Sequence, residues 1–346
     1  MHYIPLDTLA DFGKTILAAK GVPEENARFI GRMAAETEAF GIKTHGMRVI
    51  WALEKHIPNP IGPETEPEII SEKGAVALID GNSGFSQLAM REAKRIASEK
   101  AREFGIAMVA IRNASWLGAL GIYLVSLAED GLFAQLWGQS SQCRDSAPVG
   151  GIDPTFSTNP FAFAFPTHDV PMIADMSTSS VSLGKVGQLL AAGEKAPEKI
   201  FMDSDGGLTD DPSVVGKGGS ILFAGGLHYG HKGYTLSLWA EALTAMGGGS
   251  CNNPEKDQRQ SLNLTVIDPE AFAGLDYYTP EMERFIKHVK ESRLRPGYQE
   301  IRIPGERGFA AMREAGERGV PLENDLAEKL NETAQKNGVD SIFKEQ

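Results

Sequence analysis

The chain has 346 residues, 42% hydrophobic and 23% charged, ordinary globular proportions with ample length for a large buried core. Its formal net charge of -12 repels phosphate backbones and anionic membrane surfaces, so no nucleic-acid partner is expected, whereas a small anionic substrate is compatible with a few local cations. Two cysteines, Cys143 and Cys251, give no disulfide framework, and with neither a secretory leader nor an apolar run near the ~20 residues of a membrane span, a cytoplasmic protein is expected.

Asp7 to Lys20 reads as an amphipathic helix, with Leu9, Phe12, Ile16 and Leu17 at helical spacing behind an Asp7 cap. Pro23, Glu24 and Glu25 start a second helix running through Phe29, Ile30 and Met33 towards Phe40. Pro58, Pro60, Gly62 and Pro63 then break the chain and mark a domain boundary. Ala75 to Ile79 is a short strand, Gln87 to Phe104 a helix, and Ile106 to Ile111 a continuous apolar run suited to a strand buried on both faces. A helix is expected from Gly118 to Asp130 and a strand from Phe133 to Trp137.

The middle of the chain carries β signals at Phe161 to Phe165, bounded by prolines, and at Val170 to Ala174. Asp203 to Pro212 is a polar turn region, and Tyr234 to Met246 an apolar helix entered from a glycine-rich loop and ended by Gly247-Gly248-Gly249. Leu262 to Ile267 is a late strand, and from Pro280 the chain is helical again except at Arg295 to Gly308. Helical ends around a β-rich middle suggest that the two termini pack together.

Several segments could carry chemistry. Thr44-His45-Gly46 follows a helix end; an imidazole there can give or take a proton near neutral pH, although a histidine capping carbonyls has the same local pattern. Arg48 could grip a substrate carboxylate with two parallel hydrogen bonds, or form a surface ion pair. Ser157-Thr158-Asn159-Pro160 at a strand entrance suits a cofactor's ribose or phosphate, and suits a plain turn equally. Asp175-Met176-Ser177-Thr178-Ser179-Ser180 reads as a ribose site, a histidine-orienting acid or a capped turn. Gly225 to Tyr234, with His231 and Lys232 inside it, resembles a phosphate cradle without Walker order. His228 and His231 have no carboxylate or cysteine at ligand spacing, so no metal site is expected. No G-x-G-x-x-G follows a strand, and neither a G-x-S-x-G elbow nor an H-E-x-x-H helix is present.

The order T-H-G-M-R, R-N-A-S-W-L-G-A-L-G-I-Y, S-T-N-P-F-A-F-A-F-P, D-M-S-T-S-S-V, G-H-K-G-Y and a late P-G-E resembles the malate/L-lactate dehydrogenase-like oxidoreductases. That group includes ureidoglycolate dehydrogenases, diketogulonate reductases, sulfolactate dehydrogenases and piperideine/pyrroline-2-carboxylate reductases. The resemblance spans nearly the whole chain. It implies hydride transfer between NAD or NADP and a small 2-oxo or 2-hydroxy acid or a cyclic imino acid.

It also implies an α/β, non-Rossmann fold, with a mostly antiparallel sheet in the cofactor domain, and a homodimer. The corresponding division is a helical domain of residues 1–60 plus 280–346, a small α/β segment 61–121 and a cofactor domain 122–279. By the same resemblance His45 is the proton donor. Thr158, Asn159, Asp175, Met176, Ser177, Thr178, Ser179, His231, Lys232 and Glu306 face the cofactor. Arg48 is expected to hold the substrate carboxylate, and Asp175 to set the tautomer of His45.

One departure stands out: where many members read N-S-N-H-F/Y-G, this chain has Trp116. Indole cannot serve as an acid, but it can stack on a planar substrate or nicotinamide. The change motivates a second reading, a catalytically silent dinucleotide-binding sensor or scaffold.

Overall fold

The computed structural model describes residues 1–141, 143–249 and 259–343; Cys251 lies outside them. The first strand, β1 (His2–Ile4), is followed by α1 (Leu6–Ala19) and α2 (Glu24–Ala39). Pro5, and not Asp7, occupies the cap position of α1; Asp7 sits in the first turn and pairs with Arg32 of α2 at 2.6 Å. The two helices touch through backbone. A Cβ on Gly31 would lie 2.6 Å from the Ala10 carbonyl oxygen and 2.7 Å from the Lys14 amide nitrogen. A third helix, α3 (Arg48–Glu54), had no counterpart in the sequence reading.

A seven-stranded sheet forms the centre. It begins with β2 (Glu68–Lys73) and β3 (Val76–Asp80); α4 (Ser86–Phe104) crosses over to β4 (Ile106–Ala114). Gly105 ends α4 at φ 82°, a conformation glycine adopts without strain. The helix expected from Gly118 to Asp130 is shorter: a 3-10 turn, Gly121–Leu124, runs into α5 (Val125–Glu129). Then come β5 (Phe133–Ser140), β6 (Phe161–Phe165) and β7 (Met172–Met176).

An excursion follows. It comprises α6 (Leu183–Ala192), a three-stranded sheet of β8 (Phe201–Met202), β9 (Leu208–Thr209) and β10 (Ser220–Ile221), then α7 (Gly226–Tyr229) and α8 (His231–Met246). The polar stretch after Asp203 is the β8–β9 turn, where Asp203 Oδ1 accepts the Asp205 and Gly207 amides. The chain returns with β11 (Gln260–Ile267) into the middle of the large sheet, whose order is β2-β3-β4-β11-β5-β6-β7. The β3–β4 pair is parallel and the others are antiparallel.

The last elements are α9 (Leu275–Lys290), α10 (Glu306–Arg318), β12 (Val320–Leu322) and α11 (Asn324–Lys336). Pairing of β12 with β1 ties the chain ends together. One apolar core lies among the N-terminal helices and α11, with Leu9, Ile16, Ile30, Ile50, Leu326 and Leu330 buried in it. Another lies in the sheet under α4 and includes Val109, Leu136, Leu262 and Leu264. Tyr278 of α9 packs on Phe133 at 4.8 Å. Among the described residues, no helix is long and apolar enough to cross a membrane.

The close α1–α2 approach yields a test of the packing. Gly31→Ala should destabilise the protein by about 1–3 kcal/mol, read as a lower midpoint of chemical denaturation. An unchanged midpoint would show that the helices are free to separate.

Candidate active site

Strand register collects the chemistry-bearing residues at one end of the sheet. Gln260, at the start of β11, pairs with both Ala114 and Ser140. On the same side Trp137 pairs with Phe161, and Phe161 with Met176. The segment after α2 stands over these ends. Between them is a cleft of about 760 Å³, on whose wall His45, Trp116, Thr158, Asp175, Met176 and Ser177 meet.

His45 is half-buried and its ring centroid lies 5.5 Å from that of Trp116, tilted by 51°. Its Nδ1 is 2.6 Å from Thr44 Oγ1. Burial without a charged partner pushes the imidazole pKa down to about 4, so the ring is neutral at pH 7. The loop is held from below by Glu38, only 2% exposed, whose Oε2 accepts the Met47 amide at 2.9 Å. Gly46 leaves no room for a side chain: a Cβ would sit 2.8 Å from the Glu38 Cα. Desolvation raises the Glu38 carboxyl to about 7, and its Oε1 is buried with no hydrogen-bond partner.

Trp116 is fixed through its backbone. Gln87 Nε2 donates to the carbonyls of Trp116 and Leu117, and the Leu117 amide donates to Gln260 Oε1 at 2.7 Å. Gly118, at φ 96°, passes so near the His45 carbonyl that an added Cβ would be 3.3 Å away. The indole therefore reaches the cleft on a segment pressed directly against the histidine loop.

Asp175 lines the cleft, but it does not orient His45 as expected. Its Oδ2 accepts the Leu120 and Gly121 amides, both at 2.8 Å, and Thr44 occupies the vicinity of the His45 Nδ1. Asp175 thus caps the 3-10 turn that leads into α5. Desolvation raises its pKa, and the hydrogen bonds from the Gly121 and Leu120 amides oppose that rise.

The remaining expected residues divide. Thr158, Met176 and Ser177 line the cleft with His45. Asn159 is fully buried and clamps α8, donating to Ser237 Oγ at 2.8 Å and Glu241 Oε1 at 2.9 Å. Thr178 and Ser179 are also buried, donating to the Thr158 and Val181 carbonyls. His231 and Lys232 are exposed at the start of α8, with the ammonium 5.4 Å from the Tyr229 ring centroid. Their segment backs onto the Asp175–Ser180 loop, because Gly233 has no room for a Cβ beside the Thr178 carbonyl. Glu306 accepts from Lys290 and from the Ile303 amide.

Arg48 is placed outside this cleft, contrary to the expected carboxylate grip. Asp325 at 3.1 Å and Glu323 at 3.8 Å hold its guanidinium on the wall of a neighbouring cavity. Arg307, which the sequence reading passed over, is the arginine lining the His45 cleft, and among the described residues it has no acidic partner. The late P-G-E motif next to it was the available signal. Asp145, Cys143 and Gln260 were missed as well, since none lies in a periodic or motif-like context. Asp145 is 6% exposed, and desolvation raises its carboxyl to about 7; its Oδ2 is buried without a partner among the described residues.

A family model described as malate/L-lactate dehydrogenase matches residues 4–331. The chain belongs to the malate/L-lactate dehydrogenase family. It is similar to malate dehydrogenase of Pyrococcus abyssi, at 34% identity over 98% of this chain and 96% of that one. It is similar also to the Delta(1)-pyrroline-2-carboxylate/Delta(1)-piperideine-2-carboxylate reductase of Pseudomonas putida, at 30% identity over 95% and 96% of the two chains. Among solved structures, malate dehydrogenase from Pyrococcus horikoshii superposes with a TM-score of 0.89 at 31% identity, over 99% of this chain and 97% of that one. The mixed α/β fold is therefore shared by this family member and a solved dehydrogenase.

The electrostatics give a signed expectation. His45, with its folded pKa lowered from 6.5 to about 4, should erode stability as pH falls through that interval, because the unfolded chain binds the extra proton there. Glu38, raised from 4.5 to about 7, acts oppositely, and its contribution declines as pH rises through its own interval. The two slopes partly cancel, so the direct measurement is an NMR titration of the His45 ring. An apparent pKa near 4 is expected in the free protein, and a value of 6 or above would overturn the buried, unpaired description.

Proposed function

We propose that the protein transfers hydride between NAD or NADP and C2 of a small 2-hydroxy/2-oxo acid or a cyclic imino acid. The observation carrying this reading is the imidazole of His45 facing Asp175, Met176 and Ser177 across one cleft, beside an aromatic wall. Two features of the cleft suit a nicotinamide dinucleotide. The Asp145 oxygen, unpartnered among the described residues, calls for a donor such as a carboxamide N–H, and Arg307, which forms no ion pair among the described residues, suits a phosphate. Thr158, Met176, Ser177 and Arg307 would hold it within the cleft, with His231, Lys232 and Glu306 further out.

The fold assigned to this role is a non-Rossmann dinucleotide site on a mostly antiparallel sheet. Its units are a helical domain, 1–60 plus 280–346, a small segment, 61–121, and a cofactor domain, 122–279. When bound, the nicotinamide supplies or takes the hydride at C2. In the oxidising direction neutral His45 accepts the hydroxyl proton as the hydride leaves. In the reducing direction protonated His45 gives a proton to the developing alkoxide or amine. Its low pKa favours the first role in the empty cleft, and a substrate carboxylate bound nearby raises it towards the second. Trp116 supplies no proton, but it shields the pair from water and offers a face for stacking. The sensor or scaffold reading rested on Trp116 alone, and a cleft that retains an imidazole does not favour it.

Fluorescence titration with NADH and NADPH, followed by turnover on a panel of 2-oxo and cyclic imino acids, tests the reading. His45→Asn should retain cofactor affinity and lose about 10²- to 10⁴-fold in kcat. Full turnover by that variant would remove His45 from the mechanism.

We also propose that the protein is a homodimer joined through α8. That helix leaves Leu236, Leu238, Trp239 and Met246 exposed, the last two at 55% and 65%. An apolar face of this kind is covered in stable assemblies. Trp239→Glu should give a monomer by light scattering; a monomeric parent protein would overturn the assignment.

A further inference from the structure

One carboxyl group on the cleft wall moves neither the proton nor the hydride. Asp145 is 6% exposed, and its backbone is clamped on both sides: its amide donates to the Phe156 carbonyl and its carbonyl accepts the Ile221 amide, each at 2.7 Å. Its side chain lines the His45 cleft, where it accepts the Thr158 amide and keeps Oδ2 without a partner among the described residues. Thr158 also receives the Thr178 amide, just beyond the end of β7, whereas the Pro304 carbonyl, three residues before Arg307, accepts the Ile173 amide near its start. The strand spans roughly 13 Å between those ends. Cys143, two residues before Asp145, lines the same wall as Trp116. A dinucleotide with phosphate at Arg307 and its reacting end beside His45 and Trp116 therefore brings the nicotinamide towards Asp145.

The chemistry of that ring makes the charge on Asp145 matter. Oxidised nicotinamide is a cation and reduced nicotinamide is neutral, while its carboxamide offers an N–H and a carbonyl in both. An ionised carboxyl accepts from the N–H and a protonated one donates to the carbonyl, so the contact survives in either state and only the charge differs. A carboxylate close to a cationic ring stabilises it, and more strongly where water is excluded.

Resting on the oxidoreductase reading above, we propose that Asp145 reads the redox state of the nicotinamide: its ionised form favours the oxidised, cationic ring and its protonated form the reduced, neutral one. Burial holds the carboxyl at about 7 in the empty cleft, so both forms are populated near neutrality. Below that value the oxidised ring must expel the proton to gain the carboxylate; as pH rises through it, the oxidised nucleotide gains affinity over the reduced one. The groups around Asp145 are otherwise quiet. Burial and the nearby Asp145 push the Cys143 thiol up to about 11, so it stays neutral, and Arg144 is exposed. Phe156, Thr158 and Ile221, which pack against Asp145, are uncharged. Across the cleft His45 is neutral, Lys43 is paired with Glu323, Asp175 is held by two amides, and Arg307 keeps one charge at every relevant pH. Glu38, also near 7, is packed beneath the His45 loop.

The test is a binding measurement on the full-length protein with both redox forms of NAD and of NADP, at pH 6 and pH 8. Fluorescence titration reads the reduced form, and competition against it reads the oxidised form. The ratio of Kd for the oxidised form to Kd for the reduced form should fall about fivefold or more between the two pH values. Calorimetry in buffers of different ionisation enthalpy should show more proton release at pH 6 for the oxidised form than for the reduced one. Asp145→Asn, a neutral isostere, should hold the ratio near its pH 6 value throughout, and its binding of the reduced form reports that it is folded. A ratio independent of pH in the parent protein, with equal proton release, would overturn the proposal and leave the oxidoreductase reading intact. A pH dependence that persisted in Asp145→Asn would assign it to Asp175 or Glu38 and overturn the proposal equally. No binding of any of the four nucleotides to the parent protein would overturn both.

Discussion

The position of β11 between β4 and β5 is the constraint on which the cleft depends. Its backbone pairs on both sides along nearly its whole length, from Ile267 back to Gln260, and every residue but the last is buried. Because the register is fixed on both edges, Gln260 is placed at the same level as Ala114 and Ser140. A one-residue slip would turn the leucines at 262 and 264 out of the core. Gln260 then carries this order into the site, because its side chain receives the Leu117 amide and fixes the segment that presents Trp116. Packing free energy in the sheet is thereby converted into the position of one aromatic wall.

The opposite wall is set by a different device. His45 is not held by a charged partner; it is held by a loop with almost no slack. Glu38 grips that loop at the Met47 amide, Gly46 lies against the same glutamate, and Gly118 brings the Trp116 segment against the His45 carbonyl. Glycine is required at Gly46 because Glu38 already occupies the space a Cβ would need, and at Gly118 because the backbone is left-handed, at φ 96°. The cost is a buried carboxyl with one unsatisfied oxygen, and its raised pKa allows it to carry a proton near neutrality instead of a naked charge. Such a residue leaves no motif of its own, because its partner is a backbone amide nine residues away.

Much of the architecture was legible because it is written in local periodicity. The apolar runs at Ile106, Phe161 and Leu262 are the strands β4, β6 and β11, and the spacing of Leu9, Phe12, Ile16 and Leu17 is the buried face of α1. Local pattern failed where a distant group decides. The expected helix from Gly118 begins only at Gly121 because Asp175, from another strand, takes the two amides that start the turn. The strand β2 was passed over because all six of its residues are exposed, which removes the alternation that marks a half-buried strand. Within the site, motif order located His45, Trp116, Thr158 and the Asp175 loop. It could not distinguish side chains that face the cleft from those, such as Asn159 and Thr178, that hold the surrounding loops together.

The same distinction governs the cations. A protein of net charge -12 can still attract an acid if a few positive groups lack intramolecular partners, so the useful question is which arginines are already engaged. Arg48 has the right sequence position for a substrate clamp, yet Glu323 and Asp325 at the entrance to α11 engage it. Pairing of β12 with β1 delivers those carboxylates, so the closure of the chain ends decides the side chain's role. Among the described residues Arg307 has no such competitor, and it lines the cleft. The His45 cleft thus presents Arg307 together with an imidazole that burial keeps neutral. That neutrality matters: a permanently charged His45 would compete with Arg307 for the same anions, whereas a neutral ring acquires charge only as the proton moves.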